Sequence, residues 1–334
     1  MAVLSTGALT LLDWAKRVDP NGKTATIVEL LGQTNEILDD MLFIEGNLPT
    51  GHRTTVRTGL PTVAWRLLNQ GVATSKSTTA QIDEQCGMLE AWSEVDCDLA
   101  KLNGNVNRFR LSEAQAFIEA MNQEMAQTLF YGNTGTAQEE FTGLAARYSA
   151  ISGATNASHV ISGGGSQSDN SSVWLVCWGE QTCVGIFPKG SKAGLQHDDY
   201  GEQTAEVTAG VGGTRMRVYQ ERWQWKAGIA LRDWRYVVRI CNIDISNLIA
   251  KSSAADLPEL MIKALYRVPS LKVAKPVFYM NRTCMEMLDI QRRDDVQTGG
   301  QLTYELVDGK RVNFFRGIPI RIVDQLLETE ATVS

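Results

Sequence analysis

Residues 48–80, LPTGHRTTVRTGLPTVAWRLLNQGVATSKSTTA, impose the sharpest constraint on how this chain folds. Two β-branched runs, 52–67 and 72–79, meet at Asn69-Gln70-Gly71, which predicts a hairpin with Gly71 in the left-handed conformation of a bulged turn. The segment has too few large apolar residues to pack a core of its own, and an isolated hairpin is marginal in water. It must therefore lie against something else, either its own domain or another copy of the chain. Arg53, Arg57, Arg66 and Lys76 give it a basic edge, whereas the next stretch, Gln81–Asp98, carries six acidic residues.

The rest of the chain can supply a core. With 334 residues, 43% of them hydrophobic and 21% charged, it has room for one large or two ordinary soluble domains. The net charge of −6 and pI near 5.3 argue against a nucleic-acid reader, whose grip comes from Lys and Arg on phosphates. Cys86, Cys97, Cys177, Cys183, Cys241 and Cys284 are far apart and form no C-x-x-C pair, so reduced thiols in a cytosol are expected. MAVLSTGALTLLDWAKR has no basic residue before its apolar run, so no signal peptide is expected. The glycosylation-like triplets at Asn156, Asn170 and Asn281 are then chance matches. No window approaches the roughly 20 apolar residues of a membrane span.

Hydrophobic spacing outlines the elements. Ile27, Leu30, Leu31, Leu38 and Leu42 mark an amphipathic helix within 24–42, with a capping box at Thr26-x-x-Glu29. A long helix over about 113–131 follows, capped by Ser112 and Gln115, with Ala114, Phe117, Ile118, Met121, Met125 and Leu129 on one stripe and Gly132 as its stop. Residues 149–172 have the small, polar composition of a mobile loop. Strands come next: VWLVCW, TCVGIF and a long run in which Trp223, Trp225, Ala227 and Ile229 alternate on one side. Asp256-Leu-Pro-Glu opens a helix with Leu257, Leu260, Met261, Ala264, Leu265 and Val268 on one face, and Asn281 caps another. The tail is a hairpin turning at Asp308-Gly309, then a strand with Ile318, Ile320 and Ile322 on one face. Segregated helices and antiparallel strands indicate the α+β class.

The sequence offers no catalytic constellation. His52, His159 and His197 each sit in polar, loop-like surroundings that predict surface positions. His197-Asp198-Asp199 lacks the regular partners of a metal site and reads as a solvated turn. Gly185–Lys192, GIFPKGSK, departs from a phosphate loop because Ser191 precedes Lys192 and Pro188 removes a backbone donor. AGVGGT at 209–214 lacks dinucleotide spacing, and Ser166 lies in a flexible GGGSQS rather than a nucleophile elbow. No cofactor, metal or enzymatic activity is expected.

GMLEAWSEVDCDLAKLNGN (87–105), TLFYGNT with EEFTGLAARY (128–148), VFYMNRTCMEML (277–288) and FRGIPIRIVD (315–324) carry a resemblance. In their order and spacing, and with the arm and hairpin, the chain resembles the major capsid proteins of tailed bacteriophages. These form the shell-building family named after phage Hong Kong 97, and the likeness is to its short-tailed-phage members. The resemblance implies an N-terminal arm (1–43), an extended hairpin loop lying across an adjacent subunit (44–90), a peripheral domain with the spine helix (91–150, completed by 300–334) and an axial domain (151–299). It also implies self-assembly through hexamers and pentamers into an icosahedral virion shell around double-stranded DNA, with subunits made in the bacterial host cytoplasm. Scaffolding, cement or decoration, and portal proteins would be partners, DNA would be touched weakly and without sequence specificity, and no membrane is involved. Arg53, Arg57, Arg66 and Lys76, with Trp65 and Leu67 as apolar anchors, would meet Glu84, Glu90, Glu94, Glu113 or Glu119 of the next copy. Lys76 is a lysine in the right loop for a covalent crosslink, but no acceptor or catalyst can be placed. The competing readings are a tail or decoration protein, and a soluble enzyme whose site has no sequence signature.

Overall fold

A computed structural model describes residues 32–102, 104–206, 215–294, 302–307 and 310–334. In chain order its first strands are β1 (Phe43–Glu45), β2 (Gly51–Gly59), β3 (Thr78–Gln85), β4 (Gly87–Asp96), β5 (Val160–Ser162), β6 (Asn170–Trp178) and β7 (Cys183–Phe187). They are followed by β8 (Leu195–Glu206), β9 (Arg215–Leu231), β10 (Val237–Asp244), β11 (Lys275–Met280), β12 (Leu302–Val307), β13 (Lys310–Phe315) and β14 (Ile318–Ile322). The helices are α1 (Ile37–Asp40), α2 (Cys97–Lys101), α3 (Val106–Tyr131), α4 (Leu144–Arg147), α5 (Ile245–Ala250), α6 (Leu257–Arg267) and α7 (Arg282–Asp294).

Strand β6 explains the layering. Side chains alternate across a strand, so one buried at every position must be covered on both faces. Val173, Leu175 and Cys177 face a core closed by α5, α6 and α7. Trp174, Val176 and Trp178 face a second core closed by the C-terminal half of α3, by α4, and by Ile37, Met41, Val323 and Leu326. β10 and β11 flank β6 antiparallel, and β14 pairs parallel to β11. The expected face of α6 lies in the first core, with Asp256 accepting from the Glu259 amide at 3.0 Å. Asn281 caps α7 by accepting from the Cys284 amide at 2.8 Å.

The same sheet continues through β7 into a long ribbon. β9 pairs with β7 at Gly228–Leu231, and beyond that it is flanked by β4 on one side and β8 on the other. One sheet of twelve strands thus runs through segments 91–150, 151–299 and 300–334, so the two expected domains share a sheet. The hairpin β2–β3 stands apart from it.

Helix α3 crosses the ribbon. Its 26 residues span about 39 Å at 1.5 Å per residue. It starts two turns before the expected position: Asn105 caps it, accepting from the Arg108 amide at 3.1 Å, while the Ser112 hydroxyl lies inside the helix and donates to the Phe109 carbonyl. The added turns are held because Phe109 is buried against Val95 and Ala100. Phe117 stacks on Trp223 at 5.1 Å, and Arg110 reaches Asp199 at 2.7 Å and Glu221 at 2.6 Å. Ile118, expected on the buried stripe, is 44% exposed, because the helix meets the ribbon with one half and the second core with the other. Gly132 ends α3 as expected, though by close approach rather than a left-handed turn: its φ is −52°, and a Cβ there would sit 2.4 Å from the Phe141 carbonyl oxygen. Gly143, which donates to the Gly132 carbonyl at 2.8 Å, is equally confined, since its Cβ would lie 2.6 Å from the Thr128 oxygen.

Two further expectations need correction. Residues 24–31 of the first amphipathic helix lie outside the described residues, and from 32 onward only the single turn α1 is helical, with Leu42 49% exposed. Asn170, Ser171 and Ser172, expected in a mobile loop, are completely buried in β6. The C-terminal segment makes this possible. Glu330 accepts from the Ser172 hydroxyl, from Arg239 Nη2 at 2.9 Å and from the Tyr131 hydroxyl at 2.5 Å, and its own amide donates to the Asn170 carbonyl. The turn at Asp308-Gly309 lies outside the described residues, while β12 and β13 on either side pair antiparallel as expected.

Candidate functional site

The hairpin β2–β3 is built from its root outward. Gly51 lets the two strands meet, since a Cβ there would lie 1.9 Å from the Glu84 carbonyl oxygen. Asn47 clasps Arg53 through two bonds, donating to its carbonyl at 2.8 Å and accepting from its amide at 2.7 Å. Glu84 is buried and takes both Arg147 guanidinium nitrogens at 2.6 Å each. His52, also buried, has its Nε2 2.9 Å from Arg232 Nη2. Sequence alone does not bring these four residues together, because Arg147 and Arg232 are 63 and 180 positions from their partners.

Past Arg53 the hairpin leaves the body. Arg53 pairs across it with Asp83 at 2.6 Å, and the Thr58 and Thr78 hydroxyls meet at 3.1 Å. Residues 60–77 form no strand, so the ladder is shorter than the runs 52–67 and 72–79 suggest. The two limbs remain linked where Ser75 donates to the Thr62 carbonyl. The tip turns at Asn69, whose φ of 64° takes the left-handed position expected of Gly71, since Asn tolerates that region. Leu60, Val63, Trp65, Leu67 and Leu68 are all more than two-thirds exposed, Trp65 completely so. Arg57, Arg66 and Lys76 have no ion-pair partner among the described residues.

The expected acidic counterparts divide. Glu84 is buried and paired with Arg147 within its own subunit. Glu90 and Glu94 lie on the ribbon face away from α3, accepting from Gln224 at 2.6 Å and Gln220 at 3.0 Å. Glu119, on α3, accepts from the Gln33 amide and from Gln123, and Glu113 lies one turn into the helix from Arg110. The ribbon face that carries Glu90 and Glu94 also exposes Met88 and Trp92; Tyr200 stacks on Trp92 at 5.7 Å, with Arg222 above the same indole. Alternation along Met88-x-Glu90-x-Trp92-x-Glu94 is the sequence signal for this face, which the reading by charge alone passed over.

Two of the three histidines differ from the expected surface positions, while His197 is exposed as expected. His52 and His159 are buried, and burial lowers the pKa of both, aided at His52 by Arg232. His159 lies edge-on to Trp234 with Nε2 3.1 Å from the Arg267 carbonyl. His197 stacks on Trp223 and reaches Glu221 at 3.0 Å, Asp198 pairs across the strands with Arg222, and Asp199 pairs with Arg110 of α3, so these half-exposed residues belong to a strand rather than a turn. The amide of Gly190 donates to Glu45, which puts a carboxylate where a phosphate loop needs an anion-free cradle. AGVGGT (209–214) lies outside the described residues, and Ser166 is exposed in a loop. All six cysteines are unpaired thiols, five of them buried. No group of three or more metal-ligating side chains is gathered among the described residues. No helix among them is long and apolar enough to cross a membrane.

Three comparisons place the chain. The family model described as Major capsid protein GP7 matches residues 19–334. A chain in the near-atomic structure of bacteriophage Epsilon15 is similar at 32% identity and a TM-score of 0.81, covering 100% of this chain and 99% of that one. Mycobacterium phage Adephagia gives a weaker likeness at 10% identity over 70% of this chain and 97% of the other, with a TM-score of 0.42. The holo-SrpI encapsulin of Synechococcus elongatus PCC 7942 is comparable: 10% identity, 70% and 96% coverage, TM-score 0.44. No curated protein matches the sequence.

Proposed function

The chain belongs to the family of the major capsid protein GP7, and from that premise we propose how its arm builds a shell. It is a tailed-phage major capsid protein of mixed α/β, Hong Kong 97-like fold that forms the icosahedral shell of the virion, a structural rather than a catalytic role. In the proposed assembly, the hairpin 51–85 lies across the neighbouring subunit within hexamers and pentamers. The observation that carries this reading is the contrast along the arm: a root fixed by Glu84–Arg147 and His52–Arg232, and a tip whose large apolar side chains have nothing to cover them. Leaving such residues in water forgoes about 1.5–3 kcal/mol for each Val or Leu that a partner could bury.

Arg57, Arg66 and Lys76 supply the positive charge of the contact, and Glu90, Glu94, Glu113 and Glu119 the negative, on faces outside the cores. Exposed pairs contribute only about 0–1 kcal/mol each, so Trp65 and Leu67 provide most of the hold and the charges set orientation. Closed symmetry repeats each weak contact around the shell. In this reading residues 91–150 with 300–334 form the peripheral region around α3, and residues 151–299 form the axial one around β6 and α5–α7, with β9 carrying the sheet between them. Scaffolding, cement or decoration, and portal proteins are the partner classes. The net charge of −6 suits a wall that touches packaged double-stranded DNA weakly and without sequence specificity.

Replacing residues 60–77 with a two-residue Asn-Gly turn tests the arm directly, because Gly59 and Thr78 already pair across the hairpin. The shortened chain should fold and give no closed particles under negative-stain microscopy. Particles of normal size and yield would refute the role given to the tip.

A further inference from the structure

The arm's root contains a titratable latch that the shell-building role does not by itself require. We propose that His52 makes the arm acid-responsive: uncharged, it accepts a bond from Arg232 and closes the root, and protonated, it is repelled and the arm is released. This inference rests on the reading of the arm as the part that engages a neighbour.

The geometry leaves no place for a second ring proton. Arg232 Nη2 stands 2.9 Å from Nε2, and a guanidinium only donates, so Nε2 must offer its lone pair. On the other side the Asn47 amide approaches Nδ1 at 3.3 Å. A neutral imidazole accepts at one nitrogen only, so with Nε2 taken by Arg232 the single ring proton sits on Nδ1 and the Asn47 amide is a neighbour rather than a donor to it; an imidazolium would add its second N–H at Nε2, aimed straight at Arg232. Arg232 cannot easily yield, since its Nη1 is held by the Glu180 carbonyl at 2.8 Å and its amide by the Thr182 carbonyl.

The surrounding charges favour the same outcome. Strand β3 places Glu84 opposite His52 in the hairpin, but that carboxylate is already taken by Arg147 from α4. Asp83, its neighbour on β3, is paired with Arg53 on the outer face. β7, which also touches the root, brings no carboxylate or basic side chain. Charging His52 would thus put three cations around one engaged carboxylate. Burial and Arg232 lower the His52 pKa, with Glu84 opposing them only as the smallest cause.

A histidine whose folded pKa lies below its unfolded value of about 6.5 favours the closed root fully above that value. The contribution is lost as pH falls from there toward the folded pKa. Each unit of depression makes opening roughly tenfold more frequent once both values are passed.

Hydrogen exchange on the full-length, unassembled subunit tests this at about pH 7.5 and 5.5, where ordinary carboxylates remain ionised. After correction for intrinsic rates, peptides covering 46–53 and 84–88 should lose protection at the lower pH while the β6–β10 core keeps its own. His52→Gln, which retains an acceptor for Arg232, should remove the pH response at the root; His52→Asn is a second variant should Gln fail to pack, and His159→Gln should leave the response intact. No change in wild-type protection, or a change that persists in both His52 variants, would overturn the proposal. Because no assembly is involved, that failure is separate from a failure of the arm's shell-building role, which the shortened-tip chain reports.

Discussion

Truncating Trp65 should separate folding from assembly. The side chain is completely exposed in the subunit, so Trp65→Ala should change subunit stability by no more than about 0.5 kcal/mol. Within the shell an indole buries roughly 150–250 Å², which at about 25 cal/mol per Å² sets a ceiling of about 4–6 kcal/mol on what it contributes. Ordering the indole on docking costs about 0.5–1.5 kcal/mol, which leaves a net loss of at most about 2.5–5.5 kcal/mol on truncation. At about 1.4 kcal/mol per factor of ten, the critical concentration for particle formation should rise roughly sixtyfold or more. Light scattering over a concentration series, with size-exclusion chromatography to count free subunits, measures that threshold. A threshold within about twofold of wild type, from subunits with unchanged thermal stability, would show that the exposed indole is not an anchor.

Other perturbations probe the body. Glu330→Ala strands the buried Arg239 and should cost about 3–5 kcal/mol in urea unfolding, whereas the double replacement Arg239→Met with Glu330→Leu should recover most of it. A loss under about 1 kcal/mol would mean the C-terminal segment is held by other means. Gly143→Ala drives a methyl to within 2.6 Å of the Thr128 oxygen and should lower stability by about 1–3 kcal/mol, while Gly71→Ala, with nothing within 4 Å, should leave the melting temperature unchanged. With His52 and His159 both shifted down by burial, stability should be full above about pH 6.5 and decline as pH drops below it; an unfolding midpoint flat from pH 7.5 to 5.5 would contradict this. Burial pushes the thiols of Cys177 and Cys284 up to about 12 and those of Cys86 and Cys241 to about 11, so maleimide should label none of them appreciably at pH 8 until the chain unfolds.

Local patterning decided a large part of the fold. VWLVCW read as a strand, the spacing of Leu257 through Val268 fixed one face of α6, and the arm's shortage of apolar residues showed that it could not stand alone. Those readings depend on period and composition within a dozen residues, which the chain carries wherever it folds. Tertiary structure decided the rest. Asn170, Ser171 and Ser172 look like loop until Glu330 and Asn281 arrive to bond them, and Ser112 looks like a cap until Phe109 finds Val95. His52 and His159 read as surface residues because their neighbours, Arg232 and Arg267, are 180 and 108 positions away. Alternation reveals that a strand has two faces, but it is silent about what covers them. Burial of a polar or charged group depends on partners that only long-range folding delivers, so the sequence determined that the arm cannot pack on itself, and the tertiary structure decided which side chains fix its root and which are left uncovered.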